Sequence, residues 1–193
     1  MKPRFLLFSL LLIGARGCDF YSTSLWFFQE NGQADEMNPL TRFLGFGWDG
    51  LVFTNVVLVA LIIAAWYYYC FKFQRPMQLS PTPSNYKAFI SQLYFGVPDK
   101  FVQVAYRMPK DKKVLFAHSG YVIIRVLIVA SLLATVHNLG QFYGYAWYGT
   151  FREFVGRPLW VIYGLIGVAA IITYRNLFRL EFATYQQQYA SMS

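Results

Sequence analysis

Two oppositely charged side chains, Arg16 and Asp19, lie inside the first apolar run of the chain, and Thr23 follows them. Their spacings of three and four residues place all three side chains on one face of a helix. Another arginine, Arg125, lies within a later apolar run. Ionisable groups inside a membrane are energetically expensive, need partners, and mark candidate sites for ion or substrate movement.

Two interpretations of these four residues stay open. In the preferred one, Arg125 lies at a depth comparable to Asp19, and Asp19 bridges Arg16 and Arg125 in a polar network that sets the order of the helices. In the other, the same groups form a proton or ion path, or a site for a polar headgroup. Replacement of Asp19 by Asn separates a structural role from a functional one.

A polar turn, Asp35-Glu36-Met37-Asn38-Pro39, follows the first apolar run. Asn38 can cap a helix and Pro39 suits its first position, so we expect a short helix there at the outer interface. Carboxylate and amide oxygens also suit a hard cation. An acidic loop with an Asn cap accounts for the same residues, and we expect no metal.

The sequence argues against the common catalytic and cofactor sites. Its two histidines, His118 and His137, fall about 28 Å apart on one predicted helix and cannot both ligate one haem. Cys18 and Cys70 show no C-x-x-C spacing, which argues against a disulfide scaffold or a thiolate metal site. The chain also lacks a G-x-S-x-G elbow, an H-E-x-x-H motif and a P-loop. We expect no cofactor, and absence of these motifs favours a non-enzymatic protein.

Composition places the chain in a membrane. Its 193 residues are 56% hydrophobic and only 13% charged, whereas soluble domains have about a quarter charged residues. The net charge is +8, but the basic residues cluster between apolar runs and form no stripe with interleaved aromatic residues. The lipid bilayer is therefore the expected partner, and nucleic acid is not.

Residues 1–193 are expected to form one membrane domain, an all-α bundle of four transmembrane helices. The first span has an alternative interpretation as a cleaved signal or lipoprotein signal, because Ala15-Arg16-Gly17-Cys18 places small residues before a cysteine. Apolar residues resume directly after Cys18, so we favour an uncleaved span. The predicted spans are about 5–28, 51–71, 115–142 and 158–174.

Charge distribution predicts the topology. The loop at 72–114 has eight basic and two acidic residues, whereas the loop at 29–50 has one basic and four acidic. The basic loop is therefore expected in the cytoplasm, with both termini, and the chain in the inner (plasma) membrane. Apolar residues at helical spacing from 85 to 97 predict a helix in the basic loop, lying either on the membrane surface or against the bundle.

The pattern Asp19-x-x-x-Thr23, followed by Gly32 and by Glu36-x-Asn38-Pro39, resembles a family of small prokaryotic multi-span membrane proteins. That family is known only as a domain of unknown function with an Asp-x-x-x-Thr helix and a Glu-x-Asn-Pro turn. The resemblance covers about residues 5–71. It implies that these motif residues act together, and it implies no activity.

Small size, many aromatic residues and the missing catalytic motifs favour a non-enzymatic accessory or scaffold subunit, with one or more membrane proteins as partners. The first alternative is a small transporter or an ion- or proton-conducting protein that uses Arg16, Asp19 and Arg125. A membrane enzyme acting on a lipid-linked substrate is the second. A transporter should expose its buried charges to a cavity, whereas an accessory subunit should seal them between helices.

Overall fold

The computed structural model describes residues 2–28, 47–75 and 79–191. Within these ranges the structure is entirely helical, without strands. Four of its helices, α1, α2, α4 and α6, are long and apolar enough to span a membrane, which confirms the predicted helical fold with four candidate spans. The elements are α1 Lys2–Phe27, α2 Trp48–Phe71, α3 Tyr86–Phe95, a 3-10 helix Phe101–Ala105, α4 Lys112–Phe142, α5 Ala146–Val155 and α6 Pro158–Ala190.

Helix α4 is central, because α1, α2 and α6 all pack against it, and α1 also contacts α2. The backbones of α4 and α2 come close together at Gly120 on α4. A Cβ atom at this position would lie 2.3 Å from the carbonyl carbon of Ala65 on α2. Only glycine allows the two backbones to come so near, a device that membrane helices use often.

Aromatic contacts define the two ends of the bundle. At one end, which we call the basic end, the ring of Phe5 on α1 lies 5.4 Å from that of Phe71 at the end of α2. At the other, which we call the opposite end, the ring of Trp26 lies 5.5 Å from that of Phe142 on α4. Helices α1 and α4 therefore run in the same direction, and α2 runs against them.

Helix α3 occurs in the predicted segment of the basic loop and has clear caps. The Asn85 side chain accepts hydrogen bonds of 3.0 Å from the backbone N–H groups of Lys87 and Ala88, and Gly96 ends the helix at φ 76°. Its apolar face packs on α6, with the Phe89 ring 5.1 Å from that of Tyr185. These contacts favour the interpretation in which the loop folds against the bundle.

Helix α6 is longer than the predicted fourth span. Its apolar part ends near Tyr174 as expected, but the helix continues to Ala190. The extension buries Leu177, Phe178 and Tyr185, so its packing outweighs the polar character of the segment. A salt bridge between Glu181 and Arg75 holds the second half of α6 at the basic end.

Candidate functional site

The predicted pair on α1 is formed and joins three helices. Nη1 of Arg16 lies 2.6 Å from Oδ2 of Asp19, and each side chain is 15% exposed. The same guanidinium donates to the Oγ of Ser131 on α4 at 3.1 Å, and to Oδ1 of Asn55 on α2. One arginine thereby connects the three helices that form this side of the bundle.

Asn55 and Ser131 were not predicted as partners of Arg16, although each is a polar residue within an apolar run. Asn55 is 9% exposed, and its amide nitrogen donates to the carbonyl oxygen of Leu51 at 2.9 Å. That bond orients Oδ1 as an acceptor for Arg16. A buried Asn in an otherwise apolar span is the signal that would have identified it.

Arg16 and Asp19 line a cavity of about 230 Å³. Its polar wall provides one guanidinium, one carboxylate, one hydroxyl and one amide, which suits hydrogen bonding to a small polar solute or an ion. The Trp48 ring at the start of α2 lies 6.0 Å from that of Phe20 and forms part of the apolar wall. The residues around the cavity are Arg16, Asp19, Phe20, Thr23, Trp48, Leu51 and Asn55.

Thr23 lines the same cavity and also belongs to a contact between α1 and α4. The side-chain amide of Asn138 donates to the hydroxyl oxygens of Ser22 at 3.2 Å and Thr23 at 3.3 Å. Nε1 of Trp26 donates to the carbonyl oxygen of Asn138 at 3.3 Å. Thr23 therefore helps to hold these helices together toward the opposite end.

The expected bridge from Asp19 to Arg125 is not formed, and the expectation of comparable depth was wrong. Ser131 lies beside Arg16, whereas Arg125 lies beside Phe8. Phe8 and Asp19 are eleven residues apart on α1, about 16 Å along the helix axis. The reason is the register of α1 against α4, which the positions of the charges within each run do not determine.

Aromatic rings, instead of a carboxylate, surround Arg125. Its guanidinium carbon lies 3.6 Å from the centroid of the Tyr121 ring, 4.0 Å from that of Phe8 and 4.7 Å from that of Trp66. Nη1 donates to the carbonyl oxygen of Tyr121 at 2.7 Å. Each such cation–π contact is worth about 0.5–2 kcal/mol, so the rings provide a substitute for an ion pair.

A second buried ion pair, at the basic end, was not predicted. Glu181 on α6 is fully buried and accepts from Nε and Nη2 of Arg75 at 2.7 and 2.8 Å, and from the Tyr69 hydroxyl at 2.6 Å. Burial lowers the pKa of Arg75, but the hydrogen bonds and negative charge of Glu181 outweigh it, and the pKa lies above its ordinary value. The sequence contains a signal for this ion pair, because Glu181 is the only acidic residue in α6.

His137 takes part in a contact between α4 and α5. Its Nδ1 forms a hydrogen bond with the Tyr148 hydroxyl, and the Tyr148 side chain is buried over Gly140. A Cβ atom at position 140 would lie 2.7 Å from that ring.

The residues of the acidic turn, Glu36, Asn38 and Pro39, lie outside the described residues, as does the short helix expected there.

Comparison with known proteins finds no matching family model, no matching curated protein and no matching solved structure. The resemblance based on Asp19, Thr23 and the Glu36-x-Asn38-Pro39 turn therefore stays a prediction.

Proposed function

We propose that this chain is a non-enzymatic accessory or scaffold subunit that assembles with another integral membrane protein through α6. The observation that carries the proposal is the exposure of this helix. In its most apolar 18-residue window 11% of the residues are buried, against 22% for α1 and 28% for both α2 and α4. Of the other three long helices, α4 is the one that α6 packs on.

Two glycines on the uncovered part of α6 support a helix as the occupant. The space beside Gly120 and Gly140 on α4 is filled by a neighbouring element of this chain. An added Cβ at position 164 or 167, in contrast, has no atom of the described residues within 4 Å. Small residues let membrane helices approach closely, and lipid chains gain little from them. Glycines at 164 and 167 therefore fit contact with a helix of another protein.

Large aromatic and apolar side chains adjoin these glycines. Trp160 and Ile171 are each 70% exposed, and Tyr163 is 62% exposed. Trp160, Gly164, Gly167 and Ile171 recur at spacings of three and four, so they share one face of the helix. A glycine groove between large side chains offers a partner helix both close approach and aromatic contact area.

The internal charges fit a structural role. Arg125 is enclosed by three rings, and Glu181 is held by Arg75 and Tyr69, so each is satisfied inside the chain. By register, the layer of Arg125 and its rings lies between the Arg16 cavity and the basic end. Charges sealed between helices are what an accessory subunit requires.

The test is isolation of the tagged full-length protein from its native membrane in mild detergent, followed by native mass measurement. We expect a stoichiometric complex with a different membrane protein. Gly164→Leu should reduce its yield at least tenfold, because the leucine fills the glycine groove. The variant should keep its own fold, since no atom of the described residues lies within 4 Å of a Cβ at that position.

Gly149→Leu is the matched control, because Gly149 is equally open among the described residues but lies on a different helix, α5. It should leave the complex intact. Recovery of a lone monomer or a homo-oligomer contradicts the proposal. So does a heteromeric complex whose yield is the same in wild type and Gly164→Leu.

The second candidate is a small transporter or an ion- or proton-conducting protein, and the Arg16 cavity favours it. Arg16 and Asp19 are not sealed on every side, because they line a space of about 230 Å³. In vesicles containing a pH-sensitive dye, the wild type should then carry proton flux that Asp19→Asn abolishes and Cys18→Ser, at an exposed neighbouring position, leaves unchanged. No flux with wild type excludes proton conduction, and equal flux with all three proteins excludes Asp19 from the path.

A further inference from the structure

A second cavity, of about 230 Å³, lies at the basic end between the loop after α3, the start of α4, and α6. It is separate from the Arg16 cavity, and the two share no lining residue. Polar or charged side chains reach it from each of these elements. These polar or charged lining residues include Tyr94, Arg107, His118, Ser119 and Tyr174.

His118 on α4 has one ring nitrogen paired and the other unpaired. The residue is 1% exposed, and its Nδ1 lies 2.8 Å from the Tyr94 hydroxyl oxygen. Its Nε2 is buried and has no hydrogen-bond partner among the described residues. A buried polar group without a hydrogen-bond partner costs about 1–3 kcal/mol. The unpaired Nε2 therefore needs an explanation, such as a ligand that accepts its hydrogen bond.

The pairing with Tyr94 decides what the unpaired nitrogen is. Burial raises the pKa of Tyr94, so its phenol keeps its proton. When that proton is donated to Nδ1, the neutral imidazole carries its hydrogen on Nε2. The other tautomer would leave both the phenol proton and Nε2 without partners. Nε2 is therefore a buried N–H donor without an acceptor among the described residues, and it belongs to a residue that lines the cavity.

The same cavity has a cation and a hydroxyl. Arg107 is exposed, and the described contact of its guanidinium is a long one of 3.3 Å from Nη1 to the side-chain oxygen of Gln103. Ser119 follows His118 directly and adds a hydroxyl donor. Of the charged residues from 100 to 113, only Asp111 is acidic, and its side chain caps α4 by accepting from the Lys113 N–H at 2.8 Å.

We propose that this cavity binds a phosphate group, presented either by a phospholipid headgroup or by free phosphate. The Nε2–H of His118 and the Ser119 hydroxyl donate to phosphate oxygens, and Arg107 pairs with the negative charge. Three or more acceptor oxygens match these donors, and the planar guanidinium suits phosphate. The Glu181 carboxylate does not compete, because Arg75 and Tyr69 hold it.

The location fits either source of the phosphate. The cavity lies where α4 begins, next to a stretch rich in lysine and arginine, as at the headgroup level of a membrane. Its lining also includes apolar side chains such as Leu115 and Met108, which an acyl chain would contact. The site does not depend on the proposed partner face of α6.

The test uses the purified full-length protein in an uncharged detergent and measures thermal stability and affinity. The probes are inorganic phosphate, dioctanoyl phosphatidylglycerol and, as the matched lipid without phosphate, dioctanoylglycerol. We expect at least one phosphate probe to raise Tm and dioctanoylglycerol to have no effect. Arg107→Gln should weaken that binding about tenfold, the loss of one charge-assisted contact.

Lys112→Gln is the matched control, because Lys112 is exposed near the cavity without lining it. A response to free phosphate that Arg107→Gln weakens and Lys112→Gln does not supports a soluble phosphate ligand. The same variant pattern with phosphatidylglycerol alone supports a headgroup. No response to either probe, equal weakening by both variants, or an equal response to dioctanoylglycerol overturns the proposal. His118→Phe removes the donor and should weaken phosphate binding where the variant folds, and Arg107→Gln keeps the test decisive where it does not.

Discussion

At the scale of single residues, the chain satisfies its buried charges in three different ways. Arg16 has a carboxylate, an amide and a hydroxyl as acceptors, and Arg125 has three aromatic rings. The Glu181 carboxylate accepts two hydrogen bonds from the guanidinium of Arg75. Each solution offsets the desolvation of a charge, which is several kcal/mol when no partner is present. The presence of a charge in an apolar run is readable in the sequence, but the identity of its partner is not.

Glu181→Gln should destabilise the protein by about 3 kcal/mol, because it leaves the part-buried Arg75 without its counter-charge. Thermal unfolding in detergent measures the effect as a lower Tm. Glu153→Gln, at an exposed position on α5, is the control and should not change Tm. Equal Tm values for wild type and Glu181→Gln would show that this ion pair does not stabilise the fold.

At the scale of elements, glycine decides which helices touch. Gly120 lies under the backbone of Ala65 and lets α2 reach α4, whereas Gly164 faces open space. Hydropathy identifies both helices equally well, and both glycines look alike in the sequence. Only the packing of the bundle shows that one glycine serves an internal contact and the other remains uncovered.

Gly120→Ala should therefore lower stability by about 1–3 kcal/mol, because the added Cβ overlaps backbone atoms that cannot rotate away. Gly164→Ala has open space around the new methyl group and should leave Tm of the isolated chain unchanged. Circular dichroism during heating measures both variants. If the two variants unfold at the same temperature, the close approach of α2 and α4 is contradicted.

At the scale of the whole molecule, the contacts place the start of α1 and the second half of α6 at the basic end. Phe5 packs on Phe71, and the last half of α6 is held there by Glu181 and Arg75. The two cavities lie toward different ends, one beside the start of α2 and one beside the basic loop. We propose that the basic end faces the cytoplasm at the inner (plasma) membrane, because positively charged loops are retained on that side.

Reporter fusions test this orientation. A reporter that is active only in the cytoplasm should be active at either terminus, and one fused after Phe142 should be inactive. The reason is the excess of basic residues in the loop before α4, which resists translocation. An active reporter after Phe142 together with inactive termini would reverse the topology.

The sequence by itself determined the class of this protein and much of its secondary structure. Apolar runs of membrane length must become helices, because the bilayer leaves backbone groups no other partners, and charges in such runs must be paired. Arg16 and Asp19 pair through local helical spacing, which is why that contact was predictable.

The tertiary structure decided every contact between distant parts of the chain. Register placed Ser131 rather than Arg125 beside Arg16, and it buried Glu181 in what the sequence presents as a polar end. It also left Nε2 of His118 without a partner among the described residues and brought His118 and Arg107 to the lining of one cavity. The physical reason is that apolar periodicity specifies which face of a helix packs, whereas sliding one helix along another changes all partners and leaves hydropathy unchanged.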